Sequence, residues 1–307
     1  MKKTFLSLFS VIFISLLSLM STFTTAQEVT SGKPDGSVIE VLLIDGYNNH
    51  NWRETSPVLK RNLEETGLFE VTVATAPEEK KMDTFQPKFS DYDVVVLNFN
   101  DNKKNQQWSE NTKKAFQDYV QNGGGVVVYH AANNAFTDWK EYNLMTAVGG
   151  WGGRNKTHGP YFYLKDGKPF HDYQSDGPCG HHGPQHEFQI ILYEEHPITK
   201  GLPPKFMHVS DELYCYLRGP AENTKILAYA HSPKEKRGSG RDEPQLMVTE
   251  YGKGRIFHIA YGHAGKHCRA VSFILPFIRG TQWAATGTVT IPVPPDMPTE
   301  EKSMTRD

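Results

Sequence analysis

Continuous apolar, β-branched runs that alternate with helical patterns constrain the fold of this 307-residue chain more than any other feature. Residues 38–44, 93–98 and 126–129 are nearly uninterrupted stretches of Val, Ile and Leu, which is typical of strands buried on both faces. Helical spacing over about 53–66 and 112–121 lies between them. This order predicts an α/β domain with a mostly parallel central sheet that helices cover on both faces.

The remaining patterns predict that this sheet continues beyond a long excursion. Residues 149–184 are rich in Gly, Pro, His and aromatics, and we expect them to lie over the ligand-binding edge. The Gly-containing segment 251–254 predicts a tight hairpin. The domain is expected to span 38–285, and the Pro-rich, charged tail 286–307 to be extended or disordered. Further strands are predicted at 69–74, 188–192, 225–230, 245–250 and 255–260, and a C-terminal helix at about 270–283.

The first 26 residues have the pattern of a cleavable secretory signal. Two lysines, an apolar stretch over 5–20 and the small residue Ala26 follow one another in the expected order. The alternative is a membrane anchor, but the apolar stretch is short for a span and contains serines. We therefore predict export to a periplasm or to the medium, with no integral membrane segment after cleavage. Residues 27–37 are expected to form a flexible leader.

Charge and cysteine content narrow the function classes. Removal of residues 1–26, which hold two lysines and no acids, takes the formal net charge from −2 to −4. That balance gives no reason to expect nucleic acid or an anionic membrane as a partner. Cys179, Cys215 and Cys268 allow at most one disulfide and leave a spare thiol, so stability must come from a hydrophobic core. None of their spacings forms a CxxC motif.

Histidines and polar strand ends locate the expected chemistry. Eleven of the thirteen histidines lie between His158 and His267, mostly beside acids, glycines or aromatics. Imidazole is well suited to proton transfer near neutral pH and is a common metal ligand. The predicted strands end in polar segments at 45–50, 98–101 and 130–134. Because ligands bind beyond the carboxyl ends of strands in open α/β sheets, these segments are expected to form one rim.

Five ordered motifs are distinctive: GGGVVVYHAA at 123–132, GGWGGR at 149–154, HPITKGLP at 196–203, DELY at 211–214, and GRIFH at 254–258 with GH at 262–263. Together they resemble the ThuA-like (trehalose utilisation) family, and the resemblance covers about Val38 to Trp283. The family is similar in fold to class I glutamine amidotransferases, which implies a flavodoxin-like three-layer sandwich. Those enzymes carry a cysteine after the strand that ends here at His130. This chain has no cysteine there, so the resemblance implies that glutamine hydrolysis is lost.

The predicted catalytic residues lie beside strand ends: they are His130, His186, Glu212 and His263. His130 ends a buried strand at the ligand-binding edge, where an imidazole suits a general base or a metal ligand. The alternative is a structural, hydrogen-bonded imidazole. His186 leads directly into a strand and is expected to face the site. His263 follows the last strand and belongs to the same expected rim.

Glu212 is assigned to the site from the spacing around it. In an extended segment, residues alternate between the two faces, which puts His208, Ser210 and Glu212 on one face and Asp211 on the other. Asp211 is then expected to give a supporting hydrogen bond. The alternative is a surface cluster of charges.

The remaining candidates are assigned to substrate binding. Trp151, in its glycine-rich setting, is the tryptophan expected to stack on a sugar ring. His182 precedes a glycine that lets backbone approach closely, whereas its neighbour His181 is expected to be a solvated loop residue. Arginines are candidates for holding sugar hydroxyls or an enolate oxygen, the alternative being simple solvation. The full set is Trp151, His182, His208, Tyr214, Arg218 and Arg241.

Three functions remain open at the level of sequence. The family resemblance implies sugar catabolism, in particular of disaccharides oxidised to 3-keto glycosides, and so an exported enzyme that cleaves or rearranges such a small-molecule carbohydrate by acid–base chemistry. The second is a metal-dependent hydrolase. The chain has enough histidines to bind a divalent metal ion as cofactor, but HExxH and similar motifs are absent from the sequence. The third is a non-catalytic sugar-binding protein. The sequence does not give the oligomeric state.

Overall fold

The computed structural model describes Met1, Lys33 and residues 36–307 apart from residues 102 and 103. The predicted signal and most of the predicted leader therefore lie outside the described residues. Within the described part of the chain, no helix combines the length and apolar character needed to cross a bilayer.

Strands and helices alternate in the first half of the chain, and strands dominate the second half. The first half contains β1 (Ile39–Asp45), α1 (Trp52–Glu64), β2 (Phe69–Thr75), β3 (Val94–Leu97), α2 (Glu110–Gln121), β4 (Gly125–Tyr129) and α3 (Lys140–Thr146). The second half contains β5 (Tyr161–Lys165), β6 (Lys168–Asp172), β7 (His186–Leu192), β8 (Lys205–Asp211), β9 (Thr224–His231), β10 (Asp242–Tyr251), β11 (Gly254–Ile259) and α4 (Val271–Thr286).

The sheet is mixed, so the prediction of a mostly parallel sheet was wrong. Its strand order is β2-β1-β3-β4-β11-β10-β9-β7-β8, with β5 and β6 attached as a hairpin at β10. The five strands from β2 to β11 are parallel, and every pairing beyond β11 is antiparallel. Residues 161–259 are all described and contain no α-helix. Short connections without a helical crossover join antiparallel neighbours, as the confirmed β10–β11 hairpin does.

Helices cover both faces of the parallel half. Side chains of β1 alternate between two apolar layers: Val41 and Leu43 pack with α1 and α4, whereas Leu42 and Ile44 pack with α2 and α3. All four are fully buried, which explains why this strand reads as an uninterrupted apolar run. The order of the parallel strands is that of flavodoxin-like folds, so the predicted three-layer α/β architecture describes this half of the molecule.

The C-terminal tail lies along the domain in an extended course after Thr286, the last residue of α4. Its backbone pairs with the domain: the Met304 carbonyl accepts from the N–H of Val271 at 2.8 Å, and the Thr299 carbonyl from that of Met207 at 2.8 Å. Within the tail, Arg306 forms an ion pair with Asp296. The two backbone contacts hold the tail against the start of α4 and against β8.

Candidate active site

Three imidazoles meet at the carboxyl edge of the parallel strands. His50 lies in the turn after β1, His130 follows β4 directly, and His263 lies shortly after β11. The ring centroid of His50 is 4.8 Å from that of His130 and 4.4 Å from that of His263. Because the strands are parallel, side chains far apart in sequence converge at this edge, as the rule for open α/β sheets predicts.

Glu212, from the antiparallel half, completes this group. One carboxylate oxygen lies 2.8 Å from Nδ1 of His263, and the other lies 3.6 Å from Nε2 of His130. One potential ligand atom from each of His50, His130, Glu212 and His263 lies within 4.8 Å of the others. We call these four residues the His–Glu cluster.

The His130 ring is held in a defined orientation. Its Nδ1 lies 2.9 Å from the carbonyl oxygen of Ala260, which only accepts hydrogen bonds, so Nδ1 carries a proton. The other ring nitrogen, Nε2, faces the Glu212 carboxylate. His130 has φ of 44°, a conformation that is rare for a residue with a side chain, and it is 1% exposed. Such strain persists where the surrounding structure imposes it, which is common at functional sites.

Burial and mutual contact set the charges within the cluster. Burial opposes ionisation of Glu212, but the imidazoles of His130 and His263 outweigh it and hold the pKa of the carboxyl well below its usual range. The Glu212 carboxylate in turn raises the pKa of His263. Burial, followed by the proximity of the other rings, lowers the pKa of His50 to about 3. At neutral pH the cluster therefore contains an ionised carboxylate and a neutral His50 ring.

Asp211 supports the cluster from behind. It is fully buried, and its carboxylate accepts from the backbone N–H groups of Gly262 at 2.8 Å and Glu212 at 2.7 Å. The same carboxylate lies 3.0 Å from Nε2 of His208, whose Nδ1 contacts the Ser272 hydroxyl at 2.6 Å. This network fixes the backbone positions of Glu212 and of the segment that leads to His263.

The predicted alternation around Glu212 was wrong. His208 and Asp211 bond to each other instead of pointing to opposite faces, and His208 is fully buried away from solvent. The register of the β7–β8 ladder shifts here, because two residues of β8, Val209 and Ser210, lie opposite the single residue Glu187 of β7. Such a β-bulge interrupts the two-residue repeat. Glu212 is the first residue after β8, so the alternation of the strand does not determine where its side chain points.

A cleft of about 500 Å³ lies over the cluster. His50 and Glu212 form part of its lining, so the cluster faces this cleft. Most other lining groups are polar or aromatic: they include Asn49, Asn100, Asp101, Asn134, Asp138, Trp151, His182 and Tyr214. Carboxylates and side-chain amides match the hydroxyl groups of a carbohydrate, since together they offer both donors and acceptors.

The structure brings six of the predicted site residues together. His130, Glu212 and His263 belong to the cluster, and Trp151, His182 and Tyr214 line the cleft. Four others lie elsewhere: His186, His208, Arg218 and Arg241. The His186 ring contacts the carbonyl of Pro184 at the start of β7 and does not line the cleft.

Arg218 and Arg241 pack against tyrosines instead of facing the cleft. The Arg218 guanidinium lies 3.4 Å from the centre of the Tyr161 ring, and it is 1% exposed. Arg241 lies 4.3 Å from the Tyr163 ring centre and 3.7 Å from a carboxylate oxygen of Asp172. Both arginines therefore fasten the β5–β6 hairpin to the sheet through cation–π contacts.

Glu243 is a buried acid near Arg241, and it makes the free energy of unfolding depend on pH. Burial raises its pKa from 4.5 to about 7, although Ser239 and the N–H of Tyr216 favour the charged form. Because the folded pKa exceeds the unfolded one, this group's contribution to stability is full below pH 4.5 and is lost as pH rises through about 7. Glu243→Gln, which keeps an acceptor oxygen, should therefore flatten the fall in the free energy of unfolding from about pH 5 to pH 8.

Urea denaturation across that pH range measures this slope. Glu250→Gln, at the exposed end of the same strand, is the matched control and should leave the slope of the native protein unchanged. Equal slopes for Glu243→Gln and the native protein would contradict the prediction.

His50 is the cluster residue that the sequence did not single out. Its segment, 45–50, was recognised as part of the polar rim, but no motif marks the histidine itself. The available signal was its position in the first turn after a fully buried strand. The ring becomes significant only when β4 and β11 bring His130 and His263 beside it.

Comparison with known proteins identifies similar sequences and structures. The sequence model of a family described as "ThuA: Trehalose utilisation" matches residues 40–284. A ThuA-like protein from Parabacteroides merdae, with a crystal structure, shares 48% sequence identity; the match covers 88% of this chain and 98% of that one, with a TM-score of 0.84.

More distant structures share the fold. A ThuA-like protein from Bacteroides uniformis has a TM-score of 0.53 at 18% identity, covering 82% of this chain and 94% of that one. A cytoplasmic protein from Salmonella typhimurium has a TM-score of 0.51 at 13% identity, covering 81% and 100%. No curated protein matches the chain.

Proposed function

Since this chain belongs to the ThuA (trehalose utilisation) family, we propose that it is an exported enzyme that cleaves a 3-keto glycoside by acid–base chemistry in the cleft over the His–Glu cluster. One observation carries the proposal: an ionised carboxylate and three imidazoles converge beneath a polar cleft of sugar size. A protein that only binds sugar needs amides and aromatic rings, and has little use for such a group of titratable side chains.

The 3-keto group makes the chemistry accessible to these side chains. A carbonyl at C3 acidifies the proton on C2, and a base removes that proton to leave an enolate, with a C2–C3 double bond. The C3 carbonyl then re-forms, the electron pair of the C2–C3 double bond becomes a C1–C2 double bond, and the bond between C1 and the aglycone oxygen breaks. A proton delivered to this oxygen completes the elimination. The balance requires one proton carrier and one group that stabilises the enolate oxygen.

His182 is the proposed proton carrier. Its Nδ1 lies 2.6 Å from the carbonyl oxygen of Gly183 and therefore carries a proton, which leaves the Nε2 lone pair free in the neutral ring. Nε2 is 3.7 Å from a Glu212 oxygen, and the side chain is 36% exposed at the cleft. The ring can therefore exchange protons both with a substrate in the cleft and with solvent.

The cluster is the proposed site of enolate stabilisation, and Trp151 the proposed sugar platform. Preorganised hydrogen-bond donors, such as the N–H groups of imidazoles, lower the barrier when they face a developing negative charge, because they do not have to reorganise during the reaction. Trp151 lines the cleft, with its ring centre 4.8 Å from that of Tyr214 and 6.1 Å from that of His182. This position lets a sugar ring lie against the indole while C1 to C3 face the histidines.

Purified protein incubated with 3-keto-trehalose and with unoxidised trehalose tests the proposal, with products followed by mass spectrometry. We expect the keto sugar alone to be cleaved, because only it has an acidified C2 proton. His182→Gln should lower the turnover rate about 10²–10⁴-fold, the usual contribution of a general acid or base. His181→Gln is the matched control, because this neighbouring ring contacts the Arg237 carbonyl and does not line the cleft. Binding of either sugar without turnover would reject the enzyme in favour of a sugar-binding protein.

A further inference from the structure

Three buried side-chain atoms of the His–Glu cluster have no hydrogen-bond partner among the residues that the structure describes. They are Nε2 of His130, Oε2 of Glu212 and Nδ1 of His263. Nδ1 of His263 lies 2.8 Å from a Glu212 oxygen, but the approach lacks hydrogen-bond geometry. Buried polar atoms are nearly always satisfied, so several unsatisfied atoms at one point call for a missing partner such as an ion.

The orientation of His130 matches that of a metal ligand. A ligating histidine generally donates its second ring N–H to a carbonyl or carboxylate, which fixes the ring and directs the other lone pair to the ion. In His130 this second ring nitrogen is Nδ1, which donates to the Ala260 carbonyl oxygen at 2.9 Å. Asp211 holds the backbone that carries the next two ligands, because its carboxylate accepts from the backbone N–H groups of Glu212 and His263.

The spacing and types of the donor atoms select the class of metal. Four donors at about 2.0–2.2 Å from a tetrahedral ion lie about 3.4 Å from one another, and the donors of the cluster lie within 4.8 Å before any ion draws them in. Three imidazoles and one carboxylate suit Zn²⁺ and neighbouring transition metals, whereas Mg²⁺ and Ca²⁺ prefer oxygen donors.

We propose that His50, His130, Glu212 and His263 hold one divalent transition-metal ion, of which Zn²⁺ is the best match, at the floor of the cleft. His50 and Glu212 both line that cleft, so the ion is accessible to a substrate oxygen. The catalytic use of the ion rests on the function proposed above, whereas its binding does not. In that reaction the ion is the electrophile that stabilises the enolate oxygen, and His182, outside the four ligands, remains the proton carrier.

Metal content measured on the whole protein tests the binding. Protein stripped with a chelator, reloaded with Zn²⁺ and dialysed should retain about one equivalent by elemental analysis, and Co²⁺ in its place should give a visible absorption band typical of low coordination number. His50→Ala should weaken the affinity for Zn²⁺ at least about 100-fold, because it removes a ligand where changes around ligands already cost 10–100-fold. His50 is half-buried in a turn, so this variant is expected to fold.

His186→Ala is the matched control, because it removes an imidazole that lies outside the cluster. It should bind Zn²⁺ like the native protein, and circular dichroism of all variants verifies folding. Substoichiometric zinc in the native protein, or equal affinity in His50→Ala, would overturn the proposal. Stoichiometric zinc without turnover of 3-keto-trehalose would keep the metal site and reject the substrate. Full turnover by stripped protein would keep the substrate and reject the catalytic ion.

Discussion

Glu212→Gln is expected to lower the turnover of 3-keto-trehalose by about 10³-fold or more, within the range found when a preorganised catalytic group is removed. The carboxylate is central to the cluster, since it contacts His130 and His263 and also lies 3.7 Å from His182. Glutamine has nearly the same shape but no charge. It therefore removes the negative charge that raises the pKa of His263, and it is a much weaker metal ligand.

Steady-state kinetics of Glu212→Gln and of a control variant, Asp138→Asn, measures the loss of turnover. Asp138→Asn makes the same change of a carboxylate to an amide in the lining of the same cleft, but at an exposed residue outside the cluster. We expect it to alter KM more than kcat and to cost no more than about tenfold in kcat/KM, since a single solvated contact to a hydroxyl contributes about 1 kcal/mol. Comparable losses of kcat in both variants would show that Glu212 has no special part in the reaction.

Asp211→Ala is expected to lower the free energy of unfolding by about 3–5 kcal/mol, the cost of breaking a buried charged network by removing one partner. The carboxylate is fully buried, and burial alone would raise its pKa. Its bond with His208 outweighs burial and holds the pKa at about 2. Alanine leaves His208 and the backbone N–H groups of Glu212 and Gly262 buried without this acceptor.

Equilibrium urea denaturation compares this change with an exposed counterpart. Asp242 also pairs with a histidine, His231, at 2.8 Å, but both side chains are more than a third exposed. Asp242→Ala should cost no more than about 1 kcal/mol, as is usual for surface pairs. A loss below about 1 kcal/mol for Asp211→Ala would mean that water replaces the carboxylate.

Local sequence patterns were sufficient for the parallel half of the fold. Strands buried on both faces have a distinctive composition, and β1, β3 and β4 lie within a residue or two of their predicted positions. Whether the later strands run parallel or antiparallel to their neighbours could not be predicted from composition. An apolar run such as 225–230 has the same composition whether its neighbours are parallel or antiparallel. The direction follows only from the absence of α-helices between β5 and β11, where every residue is described.

Membership of the His–Glu cluster was predictable wherever a residue's position at a strand end was enough. His130 and His263 follow from the rule that ligands bind beyond the carboxyl ends of strands. His208 was misassigned because one extra residue in β8 changes which side chains share a face. The arginines failed for a different reason: a guanidinium that recognises a ligand and one that stacks on a buried tyrosine look identical in sequence.

The cluster draws its members from both halves of the sheet. Three imidazoles follow strands of the parallel half, whereas Glu212 follows β8, which lies at the opposite edge. Bringing these four side chains together closes long loops of the chain. Such contacts are slow to form, because the loss of chain entropy on loop closure precedes the gain from the contact. In a nascent or partly folded chain, the three histidines and Glu212 are therefore not yet in contact. The cluster forms only when the whole sheet is assembled, so any reaction that depends on the cluster would also report that folding is complete.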